Sequence, residues 1–417
     1  MILRARVVLP IRQPPIPDGA VLLWRNRIAA LGRWRDLSAG PRPAIDLGEV
    51  ALLPGLVNAH CHLDYTNMAG HFAPPRVFTD WLKLMNATRT GWTLADYTQS
   101  WRQGAQMLLR TGTTTVGDIE AVPDLLPAAW QTTPLRVLSF LEMIGLGRRP
   151  ARDIVQETVA RLASLRGARC RPGLAPHAPY STLPELLRLS AATARRRRCR
   201  LATHVAESAL EFEMFTRGRG EMFDWLRGNA RDMSDCGLGS PVQHLERCGM
   251  LNENLLAVHV NYLARQDAAL LGKRQVSVAH CARSHLYFRH QPFPLRALRQ
   301  ARVNICLGTD SLASVYKTAR QSLELNMFEE MRAVAERNST LPPCEVLQMA
   351  TLNGARALGL EGQVGELAQH AFADLIALPF AGNMPDLYQA ILEHRGPVAA
   401  SMIDGRWAIA PRDHERL

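Results

Sequence analysis

Residues 52–60 read LLPGLVNAH, a short apolar run that stops on a histidine. Seven runs of similar build follow: TTTVGD (113–118), RVLSFLEM (136–143), GLAPH (173–177), RLATH (200–204), LLAVH (255–259), VSVAH (276–280) and VNICLGTD (303–310). Amphipathic helical patterns such as LADYTQSWRQGAQMLLRTG and LPELLRLSAATA stand between them, so β-like and α-like segments alternate. Five of the eight runs end in histidine and two in aspartate. In a closed parallel barrel the C-terminal ends of the strands converge on one rim, where catalytic groups collect. His71, His244, His290, His370, His394 and His414 do not end such runs and are read as satisfied or surface side chains.

Outside this repeat the chain changes character. The first fifty residues read as strands with turns, Asp18-Gly19 opening AVLLW and Arg25-Asn26 separating it from RIAALG. The last fifty look alike, with ADLIALP followed by VAASMI and RWAI around Asp404-Gly405. Within the repeat, the stretch from Pro54 to His62 is the most specific. Alternate residues of an extended strand point the same way, so His60 and His62 can offer two imidazoles to one metal. A third histidine and a carboxylate elsewhere on the rim complete a ligand set, and His204 in THVAES and Asp310 in LGTDS are the candidates.

Composition narrows the class. The 417 residues are 47% hydrophobic and 21% charged, an ordinary globular balance with no apolar run long enough to span a membrane. The N-terminal stretch lacks a continuous apolar core and a small-residue cleavage site, so no secretory leader is expected. Eight dispersed cysteines without a C-x-x-C pair read as reduced thiols of a cytoplasmic protein. The formal charge of +11 raises nucleic-acid binding, yet only Lys83, Lys273 and Lys317 are lysines, and arginine enrichment on that scale also follows from genome base composition. The dense run Arg195–Arg198 with Arg200 follows a helical pattern, where cations suit the negative end of the helix dipole. Aromatics are not interleaved as a base-stacking platform needs, so nucleic acid is not the expected partner.

The pieces PGLVNAHCHLD, GTTTV, APHAPYS, THVAES, the His259 strand, AHCARSH, LGTDSLAS and ATLNGARALGL resemble, in order and spacing, the amidohydrolase superfamily. Within it the chain is similar to the aminohydrolase and chlorohydrolase branch, which includes guanine deaminase, S-adenosylhomocysteine/methylthioadenosine deaminase, aminodeoxyfutalosine deaminase and the triazine hydrolases. The resemblance covers nearly the whole chain. It implies a (β/α)8 TIM-type barrel over residues 51–364 and a small β-sandwich domain built from both termini, residues 1–50 and 365–417. It further implies that His60, His62, His204 and Asp310 ligate one divalent metal, with zinc favoured over ferrous iron. Such an ion brings the pKa of bound water down to about 7, so hydroxide is available at neutral pH. Glu207 matches the family's proton-shuttling glutamate, His259 the histidine that orients the water, and Asp310 doubles as proton acceptor. His177 resembles the substrate-facing histidine.

Two departures sharpen this expectation. Binuclear members bridge two metals with a carboxylated lysine on the fourth strand, but no lysine lies between Lys83 and Lys273, which favours one metal. The cytidine-type deaminase pattern, H-x-E with P-C-x-x-C, is also missing. After the seventh run, Ala282 and Arg283-Ser284-His285 stand where many relatives carry a proline and an asparagine. Arg283 can bind a carboxylate or phosphate bidentately, which would select an anionic substrate tail; the competing reading is a structural ion pair. Arg283, Ser284, His285 and Trp81 are therefore candidate substrate contacts, with Met85 and Tyr287 as further apolar wall and Glu142 left open.

The expected activity is hydrolytic removal of an exocyclic amine from an aminopurine-type heterocycle. The substrate expected first is 6-aminodeoxyfutalosine or a related adenine nucleoside such as S-adenosylhomocysteine. Hydrolysis of a cyclic amide or displacement of halide is the alternative within the superfamily, and a non-catalytic nucleic-acid- or partner-binding barrel is the remote one. A homodimer is the base-rate expectation.

Overall fold

The chain changes sheets at Gly55. Val50–Pro54 pairs in parallel with Ile2–Val8 and antiparallel with Leu375–Pro379, in a sheet built from the two ends of the chain. One residue later, Leu56–Cys61 starts a second sheet. The crossing is tight, because a Cβ on residue 55 would lie 2.1 Å from Oγ1 and Cγ2 of Thr114. The run LLPGLVNAH, read as one strand, is thus two strands in two sheets, and the barrel expected from residue 51 starts at Leu56. The structure, a computed structural model, describes residues 1–38, 42–317, 323–411 and 415–416; His414 lies outside them.

The second sheet is the barrel. Its strands are β1 (Leu56–Cys61), β2 (Thr113–Glu120), β3 (Arg136–Met143), β4 (Cys170–Pro176), β5 (Leu201–Val205), β6 (Leu255–His259), β7 (Ser277–His280) and β8 (Asn304–Leu307). They pair in sequence order, every neighbouring pair parallel. A parallel bridge between Cys61 and Asp310 brings the two ends of the sheet together. There the Asp310 N–H donates to the His60 carbonyl at 3.1 Å. Strands β1, β2, β5, β6 and β7 are buried along their whole length, as strands covered on both faces are. Five helices on the rim matter below: α1 (Phe78–Arg89), α2 (Ala209–Arg217), α3 (Glu221–Gly228), α4 (Ala282–Tyr287) and α5 (Met327–Arg337).

The terminal segments form a mixed sheet of nine strands among the described residues, separate from the barrel sheet. Arg25, at φ +56°, turns one hairpin, and Asp404 with Gly405 turns another. Asp18-Gly19, expected to open a strand, instead lies inside Ile16–Trp24. Arg136, at the start of β3, joins the sheets: its Nε donates to Asp374 Oδ2 at 2.5 Å and its Nη2 to Asp404 Oδ1 at 2.9 Å. The Phe372 ring lies against two guanidinium groups, Arg27 and Arg136, each 3.6 Å from its centroid. The arginine run closes the helix Pro184–Arg197, and Arg198 at φ 52° takes the left-handed cap. Among the described residues no helix is long and apolar enough to cross a membrane.

Candidate metal centre and active site

Three imidazoles meet at the C-terminal rim. The coordinating-atom positions of His60, His62 and His204 all lie within 4.8 Å of one another. Nε2 of His62 is 3.3 Å from Nε2 of His204. Asp310, which follows β8, places Oδ1 3.6 Å from His60 Nε2 and 3.7 Å from His62 Nε2. His60 on β1 and His62 just after it reach one point because alternate side chains of an extended chain share a face. His204 is set by its neighbour strand: its Nδ1 donates to the His177 carbonyl at 2.8 Å, which leaves the Nε2 lone pair facing the cluster.

The electrostatics suit a cation. Burial, then the nearby imidazoles, pushes His204 down to about 3 and holds His62 well below its ordinary value, so both rings are neutral donors at pH 7. Burial works against the Asp310 carboxylate, but the imidazoles of His60, His259 and His62 packed around it hold it well below the usual range. His60 is fully buried, and among the described residues neither of its ring nitrogens has a hydrogen-bond partner. An orphaned imidazole of that kind is costly unless something coordinates it. The donor set of three imidazoles and one carboxylate fits a divalent metal.

Glu207 and His259 flank this cluster, with Glu207 Oε1 3.6 Å from His259 Nε2. Burial first, then the charges of Asp310 and Glu211, lifts the Glu207 carboxyl well above the ordinary range. Four rim positions adopt left-handed backbone without glycine: Ala206 at φ 50°, His259 at 73°, Val260 at 53° and Asp310 at 55°. Such conformations persist only where surrounding contacts fix them.

A cavity opens over these groups, and His62, His204, Glu207, His259 and Asp310 all reach its wall. Helix α1 contributes Trp81, Leu82, Met85, Asn86 and Arg89, positions that share one helical face, and α3 contributes Trp225 and Leu226. His177 and Glu142 reach the wall too, 4.0 Å apart at Nε2 and Oε1, and Arg89 Nη2 stands 3.9 Å from the second Glu142 oxygen. Ser181 Oγ lies 2.6 Å from His177 Nδ1, which fixes that ring.

The sequence-predicted rim residues divide here. The four candidate ligands, Glu207, His259, His177 and Trp81 come together. Arg283 does not reach the cavity wall and instead makes the structural ion pair that is its competing reading. It is buried beneath the rim, donating through Nε to Glu330 Oε1 at 2.5 Å, through Nη2 to the Glu324 carbonyl at 3.0 Å and through Nη1 to Glu329. Helix α5, more than forty residues away in sequence, supplies both carboxylates and fills the fork that substrate was expected to occupy. Ser284 and His285 are also buried off the cavity wall, His285 Nδ1 lying 3.0 Å from Asn261 Oδ1. Tyr287 is turned away, its hydroxyl 3.0 Å from the Ala73 carbonyl. Two residues that end sequence runs stay out as well: His280 stacks on Phe293 at 3.8 Å, and Asp118, inside β2, accepts from the Leu63 N–H and Trp101. Sequence reasoning missed Arg89, because nothing in a helical pattern says which face meets the cavity.

A family model described as the amidohydrolase family matches residues 51–408. The chain is 30% identical over 387 residues to a 5-methylthioadenosine/S-adenosylhomocysteine deaminase of Moorella thermoacetica, covering 88% of this chain and 83% of that one. It is likewise 30% identical over 383 residues to a 5'-deoxyadenosine deaminase of Methanothermobacter thermautotrophicus, covering 87% and 81%. Among solved structures, an adenosine deaminase from Xanthomonas campestris with bound zinc superposes with a TM-score of 0.84 at 24% identity, over 99% of this chain and 93% of that one. Helicobacter pylori aminofutalosine deaminase in complex with methylthio-coformycin gives 0.86 at 21% identity, over 98% and 100%.

Proposed function

This chain belongs to the amidohydrolase family and is a hydrolase acting on carbon–nitrogen bonds, and we propose that it deaminates an adenine nucleoside carrying a modified 5'-position. The observation that carries the reading is a raised carboxyl, Glu207, beside His259 on the wall of an otherwise largely apolar cavity whose floor is a three-histidine, one-aspartate donor set. His60, His62, His204 and Asp310 would hold one divalent ion, zinc or ferrous iron, which when bound supplies Lewis acidity and brings the pKa of a water down to about 7.

The chain's own groups do the rest. Glu207, kept protonated by burial, gives its proton to the ring nitrogen beside the amine-bearing carbon, which makes that carbon electrophilic. His259 Nε2 orients the attacking water towards that carbon. Asp310, held ionised, takes one proton of the water and passes it to the departing amine, and the remaining hydroxyl proton returns to Glu207, so ammonia leaves and a carbonyl remains. His177 faces the heterocycle. Trp81, Leu82, Met85, Trp225 and Leu226 exclude water and suit an apolar 5'-substituent.

With Arg283 committed to α5, the sequence-based case for an anionic tail loses its residue, and Arg89, a guanidinium on the cavity wall, already faces Glu142 at 3.9 Å. Methylthioadenosine and 5'-deoxyadenosine therefore stand ahead of 6-aminodeoxyfutalosine as expected substrates, in keeping with the names of the two relatives, the first of which names S-adenosylhomocysteine as well. The test is ammonia release from purified protein given these four nucleosides, adenosine, a cyclic amide and a chlorotriazine. Turnover of the nucleosides supports the reading; turnover confined to the cyclic amide or the chlorotriazine overturns it.

A further inference from the structure

The backbone that carries Glu207 is gripped at all four of its polar atoms. Glu211, a buried residue of α2, accepts the Ala206 N–H on Oε1 at 3.1 Å and the Glu207 N–H on Oε2 at 2.8 Å. From the loop after β6, the Asn261 N–H donates to the Ala206 carbonyl at 3.0 Å and Asn261 Nδ2 donates to the Glu207 carbonyl at 2.9 Å. His285 on α4 stands behind, with Nδ1 3.0 Å from Asn261 Oδ1. Together these hold Ala206 in the left-handed region, at φ 50°. We propose that Glu211 and the Asn261–His285 pair are positioning residues that aim the Glu207 carboxyl at the reacting ring nitrogen. The inference rests on the reading of Glu207 as the proton donor.

A merely local role for Glu211 makes a different geometry. Ser208-Ala-Leu-Glu211 has the S-x-x-E spacing of a helix capping box, in which the glutamate returns to the N–H of the serine itself. The Ser208 half of that exchange is present, its Oγ accepting the Glu211 N–H at 3.2 Å. The carboxylate, however, passes Ser208 and spends both oxygens on the two residues before it. Those bonds fix the peptide from which the Glu207 side chain departs, and an error of about 1 Å at a reacting group can cost a hundredfold in rate. His285 thus serves the site through Asn261, although it never reaches the cavity.

Glu211→Gln and Asn261→Asp separate the two roles. Gln at 211 turns an NH2 towards a backbone N–H; Asp at 261 keeps an oxygen for His285 but has no donor for the Glu207 carbonyl. Assayed with 5'-methylthioadenosine, each should lower kcat roughly 10- to 100-fold while KM and bound metal per chain stay at wild-type values. The double variant Glu207→Gln/Glu211→Gln should be no slower than Glu207→Gln alone, since Glu211 acts only through Glu207. Should Glu211→Gln fail to fold, Asn261→Asp decides alone by the same kcat and KM readout. Wild-type kcat in both single variants, or additive losses in the double, overturns the clamp while leaving a slow Glu207→Gln and the functional reading intact. Wild-type kcat in Glu207→Gln overturns the functional reading and the clamp with it.

Discussion

At the scale of single residues, the site rests on side chains whose burial decides their charge. His204→Ala or Asp310→Ala should lose bound metal, measured by elemental analysis. Glu207→Gln should keep the metal while turnover falls about 10²- to 10⁴-fold, the usual contribution of a positioned acid. Arg283 gives a contrasting prediction. Arg283→Met leaves the fully buried Glu330 carboxylate without its partner, so stability should fall by about 3–5 kcal/mol in denaturant titration, with KM of the folded fraction unchanged. A raised KM without loss of stability would return Arg283 to the substrate. His244 shows the pH side of the same physics. Burial pushes it down to about 4 despite Asp235, 3.6 Å away. In the unfolded chain it titrates near 6.5, so the unfolded state binds the proton first, and stability is lost as pH falls from about 6.5 towards 4. The stability difference between wild type and His244→Gln should shift by roughly 3 kcal/mol, against the wild type, across that window.

At the scale of elements, closure of the barrel and the wall of the cavity are separate tasks. A Cβ on Gly308 would lie 2.7 Å from the His60 carbonyl and 2.8 Å from its Cβ, so only glycine lets the end of β8 approach β1 this closely. Gly308→Ala should force the strands apart, costing about 1–3 kcal/mol of stability. It should also weaken metal binding, because His60 and Asp310 sit on opposite sides of that seam. Helix α1 carries no candidate ligand, yet it forms one side of the cavity, and its Trp81 packs against Phe78 and Phe288. Trp81→Ala should raise KM about tenfold, or roughly 1.4 kcal/mol, with kcat little changed. A fall in kcat at constant KM would place the tryptophan outside substrate binding.

At the scale of the molecule, the terminal sheet is fastened to the end of the barrel opposite the chemistry. Arg136 is buried there between Asp374, Asp404 and the Phe372 ring, and burial raises Asp374 even beside its guanidinium partner. Asp374→Asn should cost about 3–5 kcal/mol while the folded enzyme keeps its kcat, as a thermal melt and an ammonia assay on one preparation would show.

What the sequence by itself determined is the repeat and its rim: eight strand-like runs in order, and polar residues where they end. Those features depend on the period of an extended chain and on local propensity, which neighbouring residues settle among themselves. His60, His62, His204 and Asp310 were legible for that reason, as was the part played by each end of the chain. Only the tertiary structure decided the change of sheet at Gly55, the turning of Arg283 towards α5, the placing of Arg89 beside Glu142 and the grip of Glu211 and Asn261 on Glu207. All but the Glu211 half of that grip, which is local, are fixed by atoms from segments brought together by folding, and whether a charged side chain faces a cavity or a partner depends on which carboxylates the fold packs beside it.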